Sequence, residues 1–340
     1  MDTLFIVAGT TLVKYAAYLY ISSRPKYEYV GYISELYVYP VKSCQGLKVN
    51  SLRCTRLGVE YDGMYDRHWV FATEDGMWIT QKQEPRMALI AISVHGDNIH
   101  FDAPGMTTLV LPRDQKKTNY NVKKVQMQTF CAQHCPLFVV VFQQLNDNQM
   151  VKADTIDSLD CGKEAADWIN KFLGRNDMCL HYSPQDMEKR DAVKAKKLWS
   201  HNAKPGDLLA FADYCSYMLL SQSGLDDLNS RLVQPITCLN FRANIIVSGC
   251  PPYDEDTWDD IKIRKARFRN IDACTRCILT TVDPFTGVKS KDEEPLKTLQ
   301  KYRAKPPYPS AKPLFGIHLA NDVEDVVHVG DEIYAIRKPL

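Results

Sequence analysis

The sequence predicts an α+β protein with two β-rich domains behind an N-terminal membrane anchor. Three observations predict it. Short aromatic and β-branched runs, broken by turn residues, recur at residues 29–41, 65–90, 99–111, 208–214, 240–249 and 326–336, the spacing of compact β domains. Helical periodicity is confined to a few short stretches. A charged segment without apolar periodicity, residues 186–205, divides the chain, which sets the leader at 1–24 and the domains at 27–185 and 186–338.

At 340 residues the chain can bury one large core or two ordinary ones. Its 42 Lys and Arg against 41 Asp and Glu leave a net charge of +1, so bulk electrostatics give no footprint for nucleic acid or an acidic partner. Function has to reside in a site. Eleven cysteines, odd in number and scattered, make no small disulfide framework and favour a reducing compartment. Residues 4–21, LFIVAGTTLVKYAAYLYI, have nearly the length of a spanning helix but carry Lys14. Each Leu, Ile, Phe or Val favours insertion by about 0.3–0.6 kcal/mol, and a central Lys opposes it by about 2.5–3.5 kcal/mol. Asp2 precedes the run while Arg24 and Lys26 follow it. That order argues against a cleaved secretory signal and, by the positive-inside rule, keeps the rest of the chain cytosolic.

Residues 29–41 (YVGYISELYVYPV) read as a strand entering a polar loop at Lys42, Ser43, Cys44 and Gly46. An adjacent Lys and Ser at a strand end can offer an ammonium, a hydroxyl and backbone donors to a phosphate. A hairpin is predicted across Glu74, Asp75 and Gly76, with Arg67 before it and Arg86 after it, either able to grip an anion. Further strands are expected at 99–101, 108–111 and 137–142. Ala165, Trp168, Ile169, Phe172 and Leu173 share one face of a helix closed by Gly174. Beyond the divide, 208–214 reads as a strand, Ser223 and Asp226 as the capping box of a short helix, and NFRANIIVSG as a strand opening with Asn240, Arg242 and Asn244. A helix through Leu296, Leu299 and Tyr302 and a hairpin-like pair in VVHVGDEIYAI complete the chain.

The chemistry concentrates in RNIDACTRCILTTVDPFTG, residues 269–287. The apolar and β-branched run at 277–282, stopped by Asp283, Pro284 and Gly287, predicts a buried strand with Cys274 at its mouth. Arg276, with Arg264, Lys265, Arg267 and Arg269, would favour ionisation of a nearby thiol. The C-x-x-C spacing leaves several readings open. A dithiol redox pair expects a helix after the first cysteine, and a zinc site needs Cys131 and Cys135, with His134 between them, as a second ligand pair. A single thiolate on a soft metal needs the other cysteine turned inward, and two merely buried cysteines need nothing more. No C-x-x-C-H and no G-x-G-x-x-G occurs, so electrons for redox chemistry are expected from a partner.

Taken in order, YPVKSCQG, DRHW, QKQEPR, NFRANIIVSGC, CTRCILTTVDPFTG and PLFG resemble the MOSC-domain proteins. Among them the chain is most similar to the mitochondrial amidoxime-reducing components, over nearly everything after residue 30. The resemblance implies that Cys274 ligates the molybdenum of a molybdopterin cofactor while Cys277 faces inward. It also implies cofactor contacts from Lys42, Ser43, Arg67, Arg242 and Asn244, and from the stretch Asp213, Tyr214 and Cys215, where relatives read Asp-Thr-Ser. Tyr214 and Cys215 are departures, as are His318, where relatives carry Tyr, and Asn270, where many carry Arg. Asp213 is the candidate proton relay. The implied activity is reduction of N-hydroxylated substrates (amidoximes, hydroxylamines, N-hydroxyguanidines) at the mitochondrial outer membrane, with electrons from cytochrome b5 and an NADH-dependent reductase. Alternatives are a MOSC module that binds or relays sulfur or the cofactor, and a non-enzymatic membrane-anchored zinc or scaffold protein using Cys131, Cys135, Cys274 and Cys277.

Overall fold

The computed structural model describes residues 26–115, 121–127, 154–193 and 202–338. The leader, the expected strand at 137–142, and Cys131, His134 and Cys135 lie outside them. Seven strands close into a barrel: β1 (Glu28–Val38), β2 (Tyr217–Ser221), β3 (Ile245–Ser248), β4 (Trp258–Ile263), β5 (Ala266–Thr275), β6 (Leu314–Val323) and β7 (Glu332–Arg337). Their order is β3-β2-β6-β5-β4-β7-β1, and β1 pairs back onto β3 with Leu36 opposite Ile245. Closure removes the open edges that a sheet of this length would otherwise expose. Three α-helices accompany the strands among the described residues: α1 (Lys163–Leu173), α2 (Gln222–Asn229) and α3 (Leu296–Arg303). Strands β2 and β3 are parallel, and α2 lies in the crossover between them.

Alternate residues fill the barrel. Ile33 and Leu36 of β1, Trp258 and Ile261 of β4, Phe268 of β5 and Ile317 and Leu319 of β6 share one buried cluster. At Gly31 a Cβ would stand 2.4 Å from Ser248 O, so only glycine lets β1 lie this close to β3. The barrel is not made by the C-terminal half alone, because β1 comes from far before residue 186. Elsewhere in the N-terminal half lie a four-stranded sheet (Val122–Met127, Asp154–Asp160, Met178–Tyr182, Trp69–Thr73) and a three-stranded one (Ala91–His95, Asn98–Asp102, Leu109–Pro112), while Ser51–Thr55, Gly58–Tyr61 and Met64–Tyr65 form a third sheet with Asp325–His328. Helix α1 packs its predicted face, Ala165, Trp168, Ile169 and Phe172, into their shared core and ends at a left-handed Gly174. The tight turn over Glu74, Asp75 and Gly76 also forms, with Thr73 N donating to Met77 O at 2.8 Å.

Several expectations are corrected, each for a local reason. The run after Cys277 is not a strand but a 3-10 turn, Ile278–Thr281, in which Thr280 Oγ1 donates to Cys277 O (2.9 Å) and Thr281 Oγ1 to Ile278 O (2.7 Å). Threonine hydroxyls bonding back three residues favour the turn over the ladder. The strand instead runs up to and through Cys274, ending at Thr275. At 208–214 only Leu208–Leu209 pairs, with Arg190–Asp191. Helix α2 is capped two residues early, by Ser221 accepting from Gly224 N, rather than by Ser223. Strand β3 starts at Ile245, because Asn240 sits in a 3-10 turn and Arg242 has a φ of 57°. The C-terminal pair is split: Asp325–His328 pairs with Ser51–Thr55, whereas β7 pairs with β1 and β4. Among the described residues no helix is long and apolar enough to cross a membrane.

One buried carboxyl sits behind the barrel wall. Glu255, just before β4, is 1% exposed; Ser221 N donates to its Oε1 at 3.1 Å, while Oε2 is buried without a partner among the described residues. Burial, reinforced by Asp256, lifts its pKa from 4.5 to about 7. A raised folded pKa means that Glu255 costs nothing below pH 4.5 and progressively more as the pH climbs to about 7. Glu255→Gln should therefore leave stability unchanged near pH 4.5 and raise it above pH 7 by at most about 3 kcal/mol. Denaturant melts across that range check this, and parallel curves for the two proteins would refute it.

Candidate functional site

Loop segments remote in sequence lie side by side between the barrel and the N-terminal half. Arg67 N donates to Tyr39 O (2.7 Å), Lys42 N to Trp69 O (2.8 Å), Trp69 N to Pro40 O (3.1 Å) and Phe211 N to Arg67 O (3.0 Å). These backbone bonds stitch the end of β1 to the residues around Arg67 and Phe211. Their side chains line an open cavity of about 1040 Å³, counted out to its mouth, and Cys274, Arg276 and Cys277 line it from the end of β5. Lys42, Ser43, Arg67, Asp213, Tyr214, Cys215, Arg242, Asn244 and Cys274, all singled out from sequence, line this one space. Arg86 does not: its guanidinium lies 4.5 Å over the Phe172 ring. Asn270 is buried in the barrel wall, donating to Trp258 O at 2.6 Å.

The buried Asp66 carboxylate holds this arrangement. Its Oδ1 accepts from Tyr39 N (2.7 Å) and from Asn244 Nδ2 (3.0 Å), while Oδ2 pairs with Arg67 Nη1. Asn244 is fully committed to the framework, since its Oδ1 accepts from Met218 N (3.1 Å). Buried charges paired and hydrogen-bonded in this way cost about 3–5 kcal/mol when one partner is removed.

Cations dominate the walls. Lys42 Nζ donates to Phe211 O (2.9 Å) and Asp213 Oδ1 (3.0 Å) and lies 3.8 Å over the Trp78 ring. Burial presses its pKa down from 10.5 to about 8, against the attraction of Asp213. Asp213 itself is at the mouth, its side chain 63% exposed. Arg242 Nη1 donates to Cys44 O (2.6 Å), but its Nη2 is buried without a partner among the described residues. Burial and then the neighbouring Arg67 lower the Arg242 pKa to about 10. Both guanidiniums rest on the Tyr39 ring, at 5.0 Å and 4.4 Å. Ser43, Arg67 and Arg242 have φ values of 68°, 55° and 57°, a left-handed backbone that costs non-glycine residues on the order of 1 kcal/mol each. The strain is spent at residues that line the cavity.

Opposite stands the thiol wall. Cys274, 5% exposed, is near the end of β5. The expectation that Cys277 faces inward is corrected: Cys277 is the more exposed of the two and lines the cavity as well. The basic cluster expected around Cys274 reduces to Arg276. Arg267 pairs with Asp260 (2.8 Å) and Arg269 with Asp207 and Asp322 (2.9 Å each), toward the other end of β5. Arg264 reaches Asp331. Arg276 donates to Phe315 O (2.6 Å) and Phe241 O (3.1 Å), so backbone carbonyls fix a cation beside Cys274, Cys277 and Cys215. At Gly316 of the PLFG motif a Cβ would stand 2.5 Å from Leu219 O, which explains the glycine behind this wall.

Sequence reasoning missed Tyr39, Asp66, Trp78, Thr80 and Lys82. Asp66 lies in the DRHW motif, next to the arginine that drew attention; a buried carboxylate has no local signature. The donor set suits a ligand with an anionic end and a soft metal: cations with an unpartnered guanidinium nitrogen on one side, thiols on the other. Among the described residues no group of three His, Cys, Asp or Glu side chains converges on a metal position.

A closed barrel joined to an N-terminal β unit, with cations facing a cysteine across their cleft, defines a two-domain MOSC protein. Residues 30–137 match the MOSC N-terminal beta barrel domain and residues 207–334 the MOSC domain. The chain is 34% identical over 318 residues to mitochondrial amidoxime-reducing component 1 of Mus musculus, covering 92% of this chain and 84% of that one. It is 36% identical over 316 residues to component 2 of Bos taurus and 35% over 315 residues to component 2 of Homo sapiens, covering 92% of this chain and 85% of theirs. The chain belongs to the mitochondrial amidoxime-reducing component family.

Lys42 gives the cavity a pH signature. Below about pH 8 its ammonium is charged, and above it the charge is lost, so affinity for a non-titrating anion such as sulfate should fall by up to about tenfold per pH unit beyond that point. Titration calorimetry of the cofactor-free chain between pH 7 and 10 measures this, and Lys42→Met should bind more weakly with a flatter profile. Identical profiles would show that Lys42 does not meet the anion.

Proposed function

We propose that the chain is a molybdenum-cofactor-dependent reductase of N-hydroxylated compounds, converting amidoximes, hydroxylamines and N-hydroxyguanidines to the N-reduced product and water. The observation that carries this reading is the single cavity in which the Cys274 thiol faces Lys42, Arg67 and Arg242. Relatives at 34–36% identity are named amidoxime-reducing components, and the donor set fits a molybdopterin. Lys42, Ser43, Arg67 and the unpartnered Nη2 of Arg242 would hold its phosphate and pterin, and the Cys274 sulfur would ligate its metal. When bound, that group supplies the two-electron reduction of the N–O bond.

The chain's own residues then position, shield and protonate. Trp78 beneath Lys42 and the Phe241–Phe315 stack behind Arg276 keep water from the cavity's inner wall. Asp213 Oδ1, hydrogen-bonded to Lys42 and open to solvent, is placed to pass a proton inward to the departing oxygen. Two electrons and two protons complete the conversion. In this reading the electrons come from cytochrome b5, reduced by its NADH-dependent reductase, through a small encounter surface at the open mouth. Residues 4–21 serve as an anchor in the mitochondrial outer membrane with the barrel on the cytosolic side.

The purified chain should hold stoichiometric molybdenum and reduce benzamidoxime with an artificial electron donor. Cys274→Ala should lose both properties while keeping the circular dichroism of the native protein. Near-normal turnover by the Ala variant would falsify the ligand role, and bound pterin without any reduction would point to the sulfur- or cofactor-relaying alternative. Deleting residues 1–24 should release the protein from membranes with activity intact; loss of cofactor on truncation would instead make the leader structural.

A further inference from the structure

We infer that Cys215, paired with His318, is a second nucleophilic thiol of this cavity, one that takes soft electrophiles and hydroperoxides independently of any reductase chemistry. Cys215 follows the loop of Asp213 and Tyr214, and His318 projects from β6; both line the cavity that Cys274 lines. Cys215 Sγ is 2.7 Å from His318 Nδ1 and 2.7 Å from Tyr217 O. The ring nitrogen is thus within reach of the thiol proton. A neutral imidazole takes that proton as the sulfur attacks, and the imidazolium so formed stabilises the negative charge on sulfur, which is how an imidazole activates a cysteine.

Two further features hold the pair. The Tyr214 ring stands edge-on to the imidazole, with centroids 5.4 Å apart, and limits its rotation. The Arg276 guanidinium, fixed by backbone carbonyls, acts on the Cys215 sulfur as well as on Cys274 and Cys277. Three buried thiols elsewhere are pushed the other way. Burial raises Cys44 to about 12 and Cys250 to about 11, and pushes Cys54 higher still.

With a hydroperoxide, the Cys215 sulfur attacks one peroxide oxygen. An S–O bond to the terminal oxygen forms as the O–O bond breaks, and the leaving alkoxide, or hydroxide where the oxidant is hydrogen peroxide, takes the thiol proton and departs as alcohol or water. The sulfur is oxidised by two electrons to a sulfenic acid while the peroxide is reduced. With an α-haloamide, an S–C bond forms, halide leaves, and the thiol proton passes to water. Either adduct occupies room in the cavity that Cys274 also lines.

Timed alkylation of the full chain with iodoacetamide, followed by peptide mapping, tests the inference. Cys215 should be labelled at least about threefold faster than Cys44, Cys54 and Cys250, the net gain per pKa unit once the lower nucleophilicity of a more acidic thiol is counted. His318→Phe and His318→Gln should each slow it by about that factor, with Cys277 labelled at its native rate as the check that the cavity is intact. Hydrogen peroxide followed by a sulfenic-acid trap should mark Cys215 in the native chain. Labelling of Cys215 at the rate of Cys44, a native rate in both His318 variants, or no trapped sulfenic acid would each overturn the assignment.

Discussion

The cavity exists because a carboxylate inside the protein holds three parts of the chain that the sequence keeps apart. Asp66 takes the Tyr39 amide at the end of β1, the Asn244 side chain at the start of β3 and the guanidinium of its own neighbour, Arg67. The barrel wall, the first cofactor loop and a cationic side chain are thus registered against one another at a single pair of oxygens. Its negative charge also offsets part of the repulsion between Arg67 and Arg242. In a low-dielectric interior such a node is costly to break and specific when complete.

Around that node the fold accepts unfavourable terms that only a ligand relieves. Three side-chain-bearing residues take left-handed backbone, and burial lowers the pKa values of Lys42 and Arg242. Destabilised cations around an open space gain most from an anion entering it, because binding restores the charge state that burial penalises. The same terms explain why these residues lie on loops while the barrel behind them is a close-packed hydrocarbon core. The rigid part positions and the strained part binds.

Much of this was legible in the sequence, and the rest was hidden for physical reasons. The β-rich halves, the amphipathic face of α1 and the grouping of Lys42, Arg67, Arg242 and Cys274 could be read because strand propensity, periodicity and motif order are local or ordered signals. The barrel's use of β1 could not, because closure depends on which distant strand completes the ring. Thr280 and Thr281 read as strand formers, yet their hydroxyls bond backward and make a turn. Cys277 reads as the inward cysteine because the resemblance gives the metal to Cys274 alone; the 3-10 turn that follows Cys277 leaves it lining the cavity instead. Arg267 and Arg269 read as neighbours of Cys274 by proximity in sequence, but extended chain carries them away to Asp260, Asp207 and Asp322.

The departures from the family's motifs gain meaning only in three dimensions. Tyr214 and Cys215 lie before β2 and His318 in β6, so in sequence they are unrelated substitutions. Strands β2 and β6 are paired, Met218 opposite His318, and this brings the three side chains into contact. A thiol in contact with an imidazole nitrogen shares a proton with it, so the two positions constrain each other chemically. A change at either one alone removes that shared contact. The three residues are best understood as one unit of the cavity wall, set beside Cys274 by strand pairing and tuned by the same fixed guanidinium of Arg276.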